Sequence, residues 1–197
     1  MVRSLQAGNL LDFLVAGGTM SHYAGDARQP LHISYLHHGI TAADVNVHSD
    51  YETTMIAKMA AVLFPLVEQK AAKITEPDLI GDHGKDAALR IIKLMQKTVA
   101  NFPPMDILTS WRNAKGTGKY DTMWNYLGDR TAATIANGSH ALAILWQSAL
   151  LHGNGDLIAE DQLIELEPAD LMTKYMDPTF LPSYGLDDTA LYQGVCS

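Results

Sequence analysis

The sequence predicts an all-α protein, a bundle of four to six helices. No segment sustains the alternation of apolar and polar residues that a half-buried strand requires. Apolar residues instead recur at helical spacing over long stretches. Hydrophobic residues make up 47% of the 197 and charged residues 18%, enough apolar material for a sizeable core.

The first predicted helix covers residues 3–29, where Leu5, Leu10, Leu11, Phe13, Leu14, Val15, Met20 and Tyr23 form a broad apolar surface. Gly17 and Gly18 weaken it, each by up to about 1 kcal/mol relative to Ala. Pro30 ends it, because the residue before a proline is pushed out of the helical region. Residues 31–45 read as a loop centred on His37, His38 and Gly39. A second helix runs over about 46–72, with Pro65 kinking it or ending its first half. Residues 74–86, with Pro77, Gly81 and Gly84, are a connection. A third helix spans about 85–101 and stops at Phe102-Pro103-Pro104. A short helix near 105–114 leads to the turn Lys115-Gly116-Thr117-Gly118. A long Ala- and Leu-rich helix follows over about 129–151, with Gly153 as its C-terminal cap. Beyond about 156 the chain is acidic and then rich in proline, with one short helix near 160–175. Residues 1–155 thus read as a helical metal-binding domain. Residues 156–197 read as a C-terminal extension whose aromatics, Tyr175, Phe180, Tyr184 and Tyr192, pack on the body or on a neighbour.

Formal net charge is −8, and no stretch is densely basic, which argues against a dedicated nucleic-acid-binding module. It leaves phosphodiester hydrolysis open, because bound divalent metals supply positive charge locally. The single cysteine, Cys196, excludes an intrachain disulfide and a four-cysteine zinc site. The N-terminal segment does not read as a signal peptide, since Asp12 interrupts the apolar run. No stretch of about 18 apolar residues occurs, so no transmembrane segment is expected.

The residues that carry chemistry lie between positions 22 and 52. His22 and Asp26 are four apart, and on a helix that places them on one face, roughly 5–6 Å between Cβ atoms. His48 and Glu52 form a second such pair. His32 sits in the turn beyond Pro30. Three imidazoles and two carboxylates are a ligand set suited to zinc. Zinc-bound water ionises near neutral pH, and paired metals stabilise both the attacking and the leaving oxygen of a phosphoryl displacement.

The segment Ser21-His22-Tyr23-Ala24-Gly25-Asp26-Ala27-Arg28-Gln29-Pro30-Leu31-His32 resembles the signature of the zinc-dependent phospholipase C / S1–P1 nuclease family. That signature is His-x-x-Gly-Asp-x-x-Gln-Pro-x-His, followed after a loop by His-x-x-x-Asp or His-x-x-x-Glu, here His48 to Glu52. The terminal Glu is closer to the phospholipase C branch. The resemblance implies an N-terminally shortened version of that helical fold and three zinc ions. His32, His48 and Glu52 would hold one of them. His22 and Asp26 would belong to the other pair, with Asp26 bridging the metals and orienting the attacking water as the catalytic carboxylate. The implied activity is phosphodiester hydrolysis, of a phospholipid or a single-stranded nucleic acid. The implied location is secreted or periplasmic.

The family's upstream ligand segment has no counterpart in the 21 residues before His22. The His32, His48 and Glu52 site can be complete within this chain. The two-metal site needs ligands from a second chain or homo-oligomer, from a cleaved fragment, or from local residues such as His37, His38 or His83. The alternative is a non-catalytic structural or assembly subunit that keeps at most one metal.

The remaining candidates read more simply. His37 and His38 are exposed loop histidines, with auxiliary ligation as the alternative. Asp44 and Asp50 are solvated loop or cap residues. Asp82 and His83 read as a helix N-cap region. His140 and His152 are satisfied core or surface groups, and Trp111, Trp124 and Trp146 are core. Ser139 and His140, adjacent on a helix, do not face each other. Gly116-Thr117-Gly118-Lys119 is too short for a phosphate loop.

Overall fold

In a computed structural model that describes residues 1–75, 79–81, 84–158 and 167–177, the first predicted helix is broken early. Gly8 adopts φ 67°, a left-handed conformation that costs glycine nothing, so α1 (Val2–Gln6) stops there. The α2 helix (Leu10–Ala27) restarts behind Asn9, whose side-chain oxygen accepts the Asp12 N–H at 3.0 Å. It ends at Ala27, two residues short of the predicted 29, with Pro30 beyond it as expected. The second predicted helix is continuous but not uniform. The α3 turn (Val47–Ser49) runs into a π-wound stretch, Asp50–Met55, and then into α4 (Ile56–Ala71). Pro65 lies inside α4 without ending it. Its position is exposed, so the carbonyl that loses its partner faces water.

The α5 (Gly84–Asn101) and α6 (Pro104–Asn113) helices fall close to their predicted spans. The α7 helix (Lys119–His152) begins ten residues before the predicted start at 129. Gly116, at φ 71°, turns the chain just ahead of it. Tyr120, Met123, Trp124 and Leu127 then carry the i, i+3, i+4, i+7 pattern that extends the helix. Gly153 is not the left-handed cap of α7; Asn154 is, at φ 59°. Gly153 is needed for closeness, because a Cβ there would meet Leu5 and the Ala149 carbonyl. The α8 helix (Pro168–Tyr175) matches the described part of the predicted tail helix. Residues 159–166 and 178–197, with Phe180, Tyr184, Tyr192 and Cys196, lie outside the described residues, as do Asp82 and His83. Among the described residues there is no strand, and the fold is all-α.

The chain divides into two compact units. The first holds Met1–Tyr23 with residues 79–81, 84–90, 142–158 and 167–177. Its core gathers Leu5, Phe13 and Ala149, with Leu10, Leu14 and Trp146 packed around them. Phe13 meets Trp146 edge to face at 5.3 Å, and Gly17 leaves room for that indole. His152 is structural: its Nε2 donates to the Ile80 carbonyl at 2.9 Å. Lys174 of α8 pairs with Asp12 of α2 at 3.2 Å.

The second unit holds residues 24–75 and Ile91–Ala141. Its main core joins Leu31, Leu36, Val47, Tyr51, Met55, Phe102, Ile107, Leu108, Met123 and Leu127, all 0–1% exposed. Trp111 and Trp124 pack against it as predicted. Tyr51 is the largest side chain buried there, and its hydroxyl meets the Thr131 hydroxyl at 3.0 Å. Burial pushes the Tyr51 phenol up to about 12, so it stays neutral.

Candidate metal centre

The centre grows out of that core. Leu31, Leu36, Val47 and Tyr51 are each 0–1% exposed, and each immediately precedes a polar residue: His32, His37, His48 and Glu52. Fully burying a large apolar side chain contributes roughly 1.5–3 kcal/mol. Four such anchors therefore fix four adjacent backbone positions and aim the next side chain of each out of the core. Val47, Tyr51 and Met55 recur every fourth residue and hold one face of α3 and the π-wound stretch inward. His48 and Glu52 occupy the neighbouring face.

Three atoms meet tightly. His48 Nε2 lies 2.6 Å from Glu52 Oε2, His32 Nε2 lies 2.9 Å from the same oxygen, and the two imidazole nitrogens are 3.0 Å apart. Gln29, 1% exposed, donates its side-chain N–H to that oxygen at 3.0 Å and accepts the Leu31 N–H on its own carbonyl oxygen. Three nitrogens thus compete for one carboxylate oxygen that has two lone pairs. A cation held by His32, His48 and Glu52 would resolve the competition: the imidazoles would give their lone pairs to the ion, and Glu52 Oε2 would keep one pair for Gln29. Donor atoms on a tetrahedral zinc with bonds of about 2.0–2.1 Å sit about 3.3 Å apart, so the three contacts would need to open by about 0.3–0.7 Å. Burial on its own would raise the Glu52 pKa, but hydrogen bonds from Gln29, His32 and His48 outweigh it and hold the carboxyl below its usual value.

His37 belongs to the same cluster, contrary to its reading as an exposed loop histidine. Its ring centre lies 4.1 Å from that of His48 and 5.1 Å from that of His32. His32, His37 and His48 can each present a nitrogen within 4.8 Å of the other two, close enough to hold a metal ion. Burial, then the neighbouring rings of His48, His38 and His32, push the His37 pKa below its usual value. The sequence offered auxiliary ligation by His37 only as the alternative, because loop residues have no fixed periodicity that would place its ring. The signal is its place directly after the buried Leu36.

Asp26 stands behind His32. Its Oδ1 is 3.6 Å from His32 Nδ1, the ring nitrogen opposite the cluster. That is the position of an outer carboxylate that orients a ligand histidine. His22 is exposed on α2 in the first unit, edge-on to the Tyr23 ring at 5.7 Å.

Of the two aspartates read as solvated loop or cap residues, neither is solvated, but Asp44 does cap, its carboxylate accepting the Thr41 N–H in a capping box. Asp44 is 2% exposed and takes two hydrogen bonds from Arg112, at 2.8 and 2.6 Å, besides those of Thr41 and Ile40. Arg112 and the Thr41 and Ile40 amides outweigh burial and hold the Asp44 carboxyl far below the usual carboxylate range. Asp50 accepts from Trp111 Nε1 and Lys119 Nζ at 2.6 Å and from the Tyr120 hydroxyl at 2.7 Å. Burial opposes its ionisation, and the Lys119, Trp111 and Tyr120 bonds override it, so its pKa is lowered. His140 is not satisfied as predicted: its buried Nε2 has no hydrogen-bond partner among the described residues.

No family model and no solved structure matches the chain. Among curated proteins, one from Bradyrhizobium tropiciagri, named a probable serine protease, is 38% identical over 214 residues, covering 95% of this chain and 26% of its own length. The chain therefore spans about a quarter of that relative. This finding overturns the expectation of a zinc-dependent phosphodiester hydrolase, whether phospholipase C-like or an S1/P1-like endonuclease. The related protein carries a different activity in its name. The expected substrates, phospholipid and single-stranded nucleic acid, and the role of Asp26 as a water-orienting catalytic carboxylate rested on that expectation and gain no support from this relative. Among the described residues no helix is long and apolar enough to cross a membrane.

Proposed function

We propose that this chain is a metal-binding helical module, with one zinc ion held by His32, His48 and Glu52. In longer proteins such as its Bradyrhizobium relative, the module would accompany a peptide-cleaving part and not supply it. The observation that carries the reading is the convergence of two imidazole nitrogens on one carboxylate oxygen, all within 2.6–3.0 Å of one another, with Gln29 competing for the same oxygen. Two nitrogens and an oxygen at this spacing suit zinc, and the likeness of residues 21–52 to a zinc-family signature supports the same ion. The bound ion would tie the turn after α2 to α3 and the π-wound stretch, so its binding energy is folding energy.

Four of the chain's nine serines bear on the second half of the reading. Ser21, Ser34, Ser49 and Ser148 each donate the hydroxyl to a backbone carbonyl of the preceding turn. A nucleophilic serine needs a base within hydrogen-bond reach. Elemental analysis of the purified chain, melting curves with and without a chelator, and labelling with a fluorophosphonate test the proposal. One zinc per chain, a lower Tm after chelation and no label are expected. Absence of stoichiometric metal overturns the metal module, and stoichiometric labelling overturns its accessory role.

A further inference from the structure

Resting on that reading, we infer that His37 is a fourth protein ligand that closes the metal site, so that the ion is held by His32, His37, His48 and Glu52 and keeps no position for water. Nothing in the ligand spacing of the sequence requires a residue here, but four observations converge on it.

The His37 Nε2 is buried and has no hydrogen-bond partner among the described residues. Buried polar nitrogens are almost always paired, and one left over beside two convergent imidazoles would be satisfied by giving its lone pair to a cation in the tautomer that carries the proton on Nδ1. The ring lies nearer to His48 than to any other cluster member, at 4.1 Å between centres, and three nitrogens of the group come within 4.8 Å of one another. The backbone that carries it is held from both sides. On one side Leu36 is 1% exposed, and its N–H is accepted by the Ser34 hydroxyl at 3.2 Å. On the other side Gly39 turns the chain at φ 76° and lies so close to Asp44 that a Cβ would strike its side chain. Arg112 locks Asp44 in turn. The loop from Leu36 to Asp44 is therefore fastened at both ends, with His37 between the fastenings.

Coordination number decides what the ion does. Three protein ligands leave an open position for a reacting water, as in catalytic zinc sites. Four close the tetrahedron, as in structural ones. Three imidazole nitrogens and one carboxylate oxygen supply four donors, which makes the ion a cross-link.

Cobalt(II) in place of zinc tests this directly, because its visible spectrum reports coordination number. The cobalt-loaded chain is expected to show an intense four-coordinate spectrum that azide does not change. His37→Ala is expected to open a position, so that azide alters the spectrum, and to weaken metal binding by more than the 10–100-fold typical of losing an outer partner. His37→Cys serves if the alanine variant fails to fold. A thiolate-to-cobalt charge-transfer band places residue 37 on the metal, and its absence in a folded, metal-loaded variant overturns the inference. A wild-type spectrum that azide changes, with His37→Ala binding cobalt as tightly as wild type, also overturns it while leaving the three-ligand module standing. Failure of the wild-type chain to bind cobalt or zinc removes the module itself, and the inference with it.

Discussion

His48 Nε2 lies 2.6 Å from Glu52 Oε2 across one turn of a helix that passes from α to π winding between them. The pair therefore straddles the irregularity. Windings of this kind are rare and concentrate at functional sites. Here the wider turn lets Val47 and Tyr51 stay fully buried on one face while His48 and Glu52 converge on the next.

Removing either member of this pair should release the metal. His48→Ala and Glu52→Ala are expected to bring zinc content from one per chain to a trace. Both should lower the Tm in zinc-containing buffer and not in chelator. With free zinc at about 100 times its Kd, the lost stabilisation is about 2.7 kcal/mol. Elemental analysis and paired melting curves check both parts, and an unchanged Tm difference between zinc and chelator refutes the assignment.

Gln29 should matter to the metal without touching it. Its amide N–H takes the second lone pair of Glu52 Oε2, and its carbonyl holds the Leu31 N–H beside His32. Gln29→Leu removes both contacts at nearly constant volume. Zinc affinity is expected to fall about 10–100-fold. The metal-free protein should lose about 1–3 kcal/mol, because the buried Leu31 amide is left unpaired. Competition with a chromophoric chelator measures the first effect and urea unfolding the second. Affinity within twofold of wild type would show that Glu52 needs no such support.

Much of this was legible in the sequence, for physical reasons that also mark its limit. His48 and Glu52 are four apart, and His32 follows a proline that ends a helix, so their convergence follows from backbone geometry. The apolar periodicity of residues 85–101 predicts α5 almost to its ends. The start of α7 was missed because the helical pattern of Tyr120, Met123, Trp124 and Leu127 follows directly on a glycine turn and is sparser than the Ala-rich stretch after it. Asp44 and Arg112 are 68 residues apart, and no local rule brings them together. His37 and Asp50 were misread for the same cause: their partners are chosen by tertiary packing.

Tyr51 and Thr131 offer a test of that packing separate from the metal. Both are fully buried, and each hydroxyl is the other's partner at 3.0 Å. Tyr51→Phe leaves the Thr131 hydroxyl unpaired and should cost about 1–3 kcal/mol. Thr131→Val should cost a comparable amount. The double variant removes both polar groups and should be more stable than the sum of the single losses implies, giving a coupling of about 0.5–3 kcal/mol. Zinc stoichiometry should stay at one per chain in all three. Strict additivity in urea unfolding would show that the two hydroxyls do not act as a pair.

Asp44 predicts how the fold responds to acid. Its carboxyl is held far below the usual range, first by Arg112 and then by the Thr41 and Ile40 amides. A carboxyl whose pKa is lower in the folded chain stabilises the fold fully above its unfolded value, about 3.9 for Asp. That stability is lost as pH falls from there toward the folded value, because the unfolded chain then binds the proton more readily. The Tm of the metal-free wild-type chain should therefore drop steeply below about pH 4. Asp44→Asn should melt lower than wild type at pH 7, since Arg112 loses its charged partner, and its Tm should fall less steeply in acid. The two curves should draw together as pH decreases. Using the metal-free form keeps the titration of the metal ligands out of the comparison between zinc-bound and zinc-free states. If the difference in Tm between Asp44→Asn and wild type is the same at pH 7 and at pH 3, the Asp44–Arg112 pair is not what fastens the loop carrying His37.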